Sequence, residues 1–203
     1  MGHSQSVQAE KENENETDPC NDYLGDKAYL DHMIPHHQVA IDMSNEVMKH
    51  TQNPFIKEIA NRIIWQQTFE NGVMGWHSHT ASNEEASQGI VPDRFDITPM
   101  ERYVPNLSSP EPGYVCDPLF FDPEAHHKKH GMHGHMSDEA FLQHMIPHHQ
   151  VAVDMSKRLL AHSDNPMLRD IANKIIRDQQ GEIYTMNLML ADPDRLNSMY
   201  PSM

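Results

Sequence analysis

Two stretches of the chain set apolar side chains at the same helical spacing. Ile56, Ile59, Ala60, Ile63 and Ile64 form one stripe, and Leu168, Ile171, Ala172, Ile175 and Ile176 form another. Each stripe follows an Asn-Pro pair, Asn53-Pro54 or Asn165-Pro166. An Asn there accepts backbone N–H groups as an N-cap, and Pro suits the first helical position because no N–H is needed. The pattern therefore predicts a helix starting at each pair. Ahead of each lies a further helix, from near Asp26 to His50 and from Ser137 to His162. Pro35 and Pro147 fall inside these spans, where a proline either kinks a helix or begins a new one. Short loops between the helices force antiparallel hairpins.

The two hairpins are copies of one unit. The block from His32 to Ser44 aligns with that from His144 to Ser156 at 12 of 13 positions, and the longer spans Asp26 to Trp76 and Asp138 to Leu188 match at 26 of 51. The chain then divides into an acidic tail over 1–20, expected to be disordered, and a first hairpin over 21–77. An irregular connection rich in Pro, Ser, Asp and Glu spans 78–136, and a second hairpin spans 137–203. The expected fold is all-α, a four-helix bundle in which both repeats pack as one domain.

On an ideal helix His36, Ala40, Met43 and Val47 share one stripe, with His32 at its edge. In the second helix the apolar stripe continues as Gln67, Glu70 and Met74, an amide and a carboxylate where leucines are expected. Buried alone they would cost several kcal/mol, so something polar or cationic should meet them. Folding the hairpin near Asn53 sets side by side residues whose numbers sum to roughly 106. His36 then faces Glu70, and His32 and Met33 come beside Met74. The second copy places His148 by Glu182, and His144 and Met145 by Met186. With His37, His149, Met43 and Met155, each hairpin's open end collects imidazole, thioether and carboxylate. If Pro35 begins a helix, the dipole at that N-terminus favours neutral His36 and His37, the form that binds metal. The plain structural alternative makes these Met residues core fillers, with His36 and His148 bonded to Glu70 and Glu182.

Composition supports the chemical reading: among 203 residues there are 16 His and 15 Met. Thioethers are soft donors that suit Cu(I), or Ag(I) as its mimic, and suit Zn(II) poorly; imidazole also accepts Cu(II). A second collection, His126, His127, His130, Met132, His133, His135 and Met136, lies in a Gly-punctuated stretch that reads as a flexible tract able to wrap an ion, with a solvated, weakly structured linker as the plain alternative. A net charge of −15, with 15 scattered basic residues, excludes a nucleic-acid partner and favours metal ions. No apolar run approaches a membrane span, so no membrane insertion is expected, and the N-terminus lacks a signal-peptide pattern. Cys20 and Cys116 include no Cys-x-x-Cys; a single disulfide between them would require an oxidising compartment. Trp65, Phe69 and Trp76 become Arg177, Gly181 and Leu188 in the second repeat, and these aromatics are expected to pack against the connection.

The expectation is a copper-binding protein and not an enzyme. A ferritin-like di-metal oxidase is the first alternative, but it needs Glu from two helices and Glu-x-x-His from two others, and neither repeat contains Glu-x-x-His. A zinc- or nickel-binding module is the second.

The block His-Met-Ile-Pro-His-His-Gln-x-Ala-[Ile/Val]-Asp-Met-Ser, followed by Asn-Pro and then Gln-x-x-Glu-x-x-x-Met, closely resembles a bacterial family of exported ferritin-like helical domains of unknown function that includes a copper-resistance protein. The likeness covers Asp26 to Trp76 and Asp138 to Leu188. It implies a ferritin-like bundle built from a doubled hairpin and a periplasmic or extracellular location. It also implies copper sequestration, resistance or trafficking in the cell envelope, with a copper transporter or efflux component as a natural partner.

Overall fold

A computed structural model describes residues 18–20, 24–78, 116–130, 136–161 and 163–192. These residues are all helical or irregular. Helix α1 runs Asp26–Met48 and α2 runs Pro54–Ser78; a 3-10 turn, Pro118–Phe121, leads into α3, Pro123–His130; α4 is Asp138–Leu160 and α5 is Pro166–Ala191. The protein is an all-α bundle of two hairpins, α1–α2 and α4–α5, joined where α1 packs on α4.

The Asn-Pro pairs begin helices as the sequence predicts. Asn165 Oδ1 accepts the backbone N–H groups of Met167 and Leu168 at 3.1 and 3.3 Å, and Asn53 Oδ1 accepts that of Phe55 at 2.9 Å. The prolines neither stop nor restart a helix: α1 and α4 run unbroken with Pro35 and Pro147 inside them. Packing outweighs the local penalty, because buried residues on both sides of each proline, Met33 and Val39 in α1 and Met145 and Val151 in α4, tie both halves to the core.

The hairpins pack head to tail. One apolar cluster joins Tyr29, Leu30 and Met33 of α1 and Met74 of α2 to Met155 and Leu159 of α4 and Leu168 and Ile175 of α5. The other joins Met43 and Val47 of α1 and Ile56 and Ile63 of α2 to Phe141 and Met145 of α4 and Met186 of α5. The open end of each hairpin thus lies at the loop end of the other. Tyr29 Oη and Ser156 Oγ, 2.9 Å apart and buried, mark the antiparallel register of α1 on α4.

Part of the connection departs from the irregular expectation. Residues 116–130 form a strap across the bundle, with Phe120 in the first apolar cluster, and a disulfide between Cys116 and Cys20 fastens it to the segment ahead of α1. An apolar Pro-Leu-Phe-Phe run inside a polar stretch carries the difference, since two phenyl rings have a core to enter. Residues 1–17 of the acidic tail and 79–115 of the connection lie outside the described residues. Trp65, Phe69 and Trp76 do not pack against the described part of the connection: they are exposed on α2, with Trp65 and Phe69 stacked at 6.4 Å. Among the described residues no helix is long and apolar enough to cross a membrane.

Replacing Asn165 with Ala removes the acceptor for two N–H groups and is expected to lower the unfolding free energy by about 1 kcal/mol. Urea denaturation would read it, and an unchanged midpoint would count against the cap.

Candidate metal centre

Between the two apolar clusters the core turns polar. The change falls at the middle of the long helices: α1 and α4 each have 23 residues, and His37 and His149 are their twelfth. His36, His37, Gln67 and Glu70 from the first hairpin meet His148, His149, Gln179 and Glu182 from the second, and all eight are buried. Head-to-tail packing brings the copies together because both place these residues at mid-helix. The polar layer therefore lies at the bundle's mid-plane, and the open end of each hairpin, where the sequence predicts the metal, is closed by the loop of the other.

The carboxylates take different partners from those expected. Glu70 meets His37, not His36, with Nε2 donating to Oε2 at 2.8 Å; Glu182 likewise accepts from His149 at 2.8 Å, not from His148. The helices meet one residue out of the expected register, and on a helix one residue turns a side chain by about 100°. Each carboxylate also accepts from a cation of the other hairpin, Glu70 Oε1 from Lys174 Nζ at 2.7 Å and Glu182 Oε1 from Arg62 Nε at 3.1 Å. Burial works to raise the Glu70 carboxyl, but the hydrogen bonds and charges of His37 and Lys174 outweigh it and hold the group below its ordinary value. Glu70 and Glu182 are thus already satisfied and orient imidazoles. A carboxylate accepts only, so Nε2 of His37 and His149 carries a proton. Both Nδ1 atoms are buried with no hydrogen-bond partner.

Freed from the carboxylates, His36 and His148 stack on each other, ring centroids 3.7 Å apart and planes tilted by 31°. All four of their ring nitrogens are buried without a hydrogen-bond partner, and so are the side-chain amides of Gln67 and Gln179. Burial lowers the His36 pKa well below the usual value, helped by the charges of His37 and His149. Burial does the same at His148, helped by His36, His149, His37 and His126. Both rings are held neutral, the form that offers a lone pair to a metal. No helix N-terminus is involved, since α1 runs through Pro35. Leaving one buried polar group unpaired costs about 1–3 kcal/mol, so so many at one level mark a place where packing has given way to another demand.

Methionines line the layers on either side. Met33, Met74 and Met155 lie in one apolar cluster, and Met43, Met136, Met145 and Met186 lie in the other. Met33 and Met145 sit three residues from His36 and His148, about 4.5 Å along the helix axis. His32 and His144 are half-buried, and the His32 ring meets Phe121 edge-on at 5.9 Å. Among the described residues no three or more His, Cys, Asp or Glu side chains converge as a metal cage, so the centre offers two stacked imidazoles, with methionines in the apolar clusters on either side of the polar layer.

The expected flexible tract divides. His126 is buried on α3, His127 is exposed on the same helix, His130 ends it, and Met136 enters the second apolar cluster. Met132, His133 and His135 lie outside the described residues. Lys174 and Arg62 were not foreseen, although they occupy equivalent positions in the two repeats, eight residues before each Glu, and are both basic. Phe120 was not foreseen either; it meets the His148 ring edge-on at 5.0 Å.

A family profile described as a domain of unknown function (DUF305) matches residues 26–190. Among solved structures, CopM in the Cu(I)-bound form is 27% identical with a TM-score of 0.56, over 83% of this chain and 97% of that one. CopM in the Ag-bound form obtained by co-crystallization is 25% identical with a TM-score of 0.54, over the same 83% and 97%. A putative secreted DUF305 protein from Streptomyces coelicolor shares the fold at 23% identity and a TM-score of 0.55, over 83% of this chain and 93% of that one. An uncharacterized protein of Acanthamoeba polyphaga mimivirus is 35% identical over 65 residues, 32% of this chain; the match spans 43% of that protein's length.

In the metal-free protein the depressed His36 and His148 values have a consequence for stability. The unfolded chain takes up protons near pH 6.5 that the folded chain resists, so this contribution is full above that pH and is lost as pH falls. With two groups the limiting slope is about 2.7 kcal/mol per pH unit. Urea unfolding at a series of pH values should show it, and replacing both residues with Leu should flatten it. Parallel curves for the two proteins would refute the burial of neutral rings.

Proposed function

The chain belongs to the DUF305 family, whose profile covers residues 26–190, and from that premise we propose that it binds copper, chiefly as Cu(I), with Ag(I) as a mimic and Cu(II) as a second state. The observation that carries this reading is the stacked His36–His148 pair, neutral and buried with four unpartnered ring nitrogens, set between methionine-lined layers. Two imidazoles with thioethers nearby suit a soft ion of low coordination number. Zinc asks for four donors in a tetrahedron, and among the described residues no three His, Cys, Asp or Glu side chains are placed to hold one ion together. CopM, 27% identical and of the same fold, has been solved with Cu(I), which supports carrying the metal across.

The same centre speaks against the oxidase alternative. Carboxylate-bridged metal pairs need carboxylates free to bridge, whereas Glu70 and Glu182 are each held by a histidine and a cation. The protein binds an ion without turnover, for sequestration, resistance or trafficking. We place it in the periplasm or outside the cell, where a Cys20–Cys116 disulfide persists, with a copper transporter or efflux component as its partner.

Competition against a Cu(I) chelator tests the reading. Wild-type protein should hold Cu(I) and Ag(I) and leave Zn(II) largely unbound. Replacing His36 and His148 together with Ala should weaken Cu(I) binding by about tenfold or more, equivalent to about 1.4 kcal/mol. Replacing Met74 and Met186 together with Leu should leave helicity intact and weaken Cu(I) binding less. Unchanged affinity in both variants, or a preference for Zn(II), would sink it.

A further inference from the structure

The strap of residues 116–130 lies over the central histidines. Phe120 is buried and meets the His36 ring at 6.3 Å and the His148 ring at 5.0 Å, edge-on to both. Phe121 meets His36 at 5.3 Å and His32 at 5.9 Å. His126, one turn into α3, is buried and acts electrostatically on His148. The two phenyl rings therefore cover the imidazole pair from outside the four long helices.

The turn that carries them is closed on itself. Asp117 accepts the Leu119 N–H through Oδ1 and the Phe120 N–H through its carbonyl, both at 2.9 Å, and Asp122 accepts the Ala125 N–H at 2.8 Å as α3 begins. The covalent attachment is the Cys20–Cys116 disulfide, four residues before Phe120, with Cα atoms 6.0 Å apart. Cys20 is itself stationed against the bundle, because Arg158 of α4 donates to the carbonyl of neighbouring Pro19.

We propose that residues 116–130 form a disulfide-tethered roof over the His36–His148 pair, so that the Cys20–Cys116 bond sets how fast a soft metal ion reaches and leaves that pair. Taking the ion to be Cu(I) or Ag(I) rests on the reading of the pair as a metal site; the roof itself does not. With the bond intact, Phe120 is kept within reach of its place and openings are rare. Exchange with a dithiol breaks the S–S bond, leaves two S–H groups, and oxidises the dithiol to its cyclic disulfide. The strap then holds by its non-covalent contacts with the bundle and opens more often.

Two variants test this without relying on reduction, since free thiols would themselves bind Cu(I). Cys20→Ser with Cys116→Ser releases the tether, and Phe120→Ala removes the cover while keeping the disulfide. Hydrogen–deuterium exchange at the ring C2 of His36 and His148, followed by NMR in metal-free protein, should be faster in both variants by about tenfold. Stopped-flow uptake of Ag(I) should accelerate similarly, with the number of ions bound unchanged. Wild-type rates of exchange and uptake in both variants overturn the roof and leave the copper reading standing. Wild-type protein that binds neither Ag(I) nor Cu(I) overturns the copper reading, and ring exchange still decides the roof. Should the double serine variant lose helicity, Phe120→Ala carries the test.

Discussion

Glu70 and Glu182 each sit in the core between a histidine of their own hairpin and a cation of the other, and the remaining structure is arranged around that pair of bridges. A carboxylate buried without partners would cost several kcal/mol, so each needs both contacts at once. Apolar layers alone would tolerate sliding, because one leucine-like layer replaces another. A slip of one helical turn would separate Lys174 from Glu70 and Arg62 from Glu182, leaving charges stranded. The bridges thus specify the head-to-tail register more than they add stability.

That register creates the chemistry. Because the carboxylates take His37 and His149, the neighbouring His36 and His148 are left to each other, stacked at the centre with no hydrogen-bond partner for any ring nitrogen. Evolutionarily cheaper cores would put leucines there, and the apolar clusters on both sides show that the chain packs such cores well. A polar layer left unsatisfied in an otherwise ordinary bundle is the kind of local conflict that accompanies a binding site. The strap adds a condition on access, with aromatic rings over the imidazoles and a disulfide at its root.

The two repeats are equal in this layer and unequal around it. His36 matches His148, Glu70 matches Glu182, and Arg62 matches Lys174, so the bridges are related by an approximate twofold axis. The strap meets both copies, Phe120 touching His36 and His148, and the exposed aromatics Trp65, Phe69 and Trp76 of α2 have Arg177, Gly181 and Leu188 at the equivalent positions of α5. Symmetry is kept where both hairpins meet and is abandoned where each faces outward.

Periodicity and the internal repeat carried most of the fold. Apolar spacing over Ile56 to Ile64 and Leu168 to Ile176, with Asn-Pro ahead of each, determined helices, starts and hairpins, because these are local properties of a chain. The replacement of expected leucines by Gln67 and Glu70 already located the polar layer along α2. What the tertiary structure decided was the partner of each group. Whether Glu70 meets His36 or His37 turns on about 100° of helix rotation, which only packing against the second hairpin sets. The continuity of α1 and α4 through proline, the stacking of two histidines distant in sequence, and the Phe120 strap likewise depend on surfaces that meet only after folding.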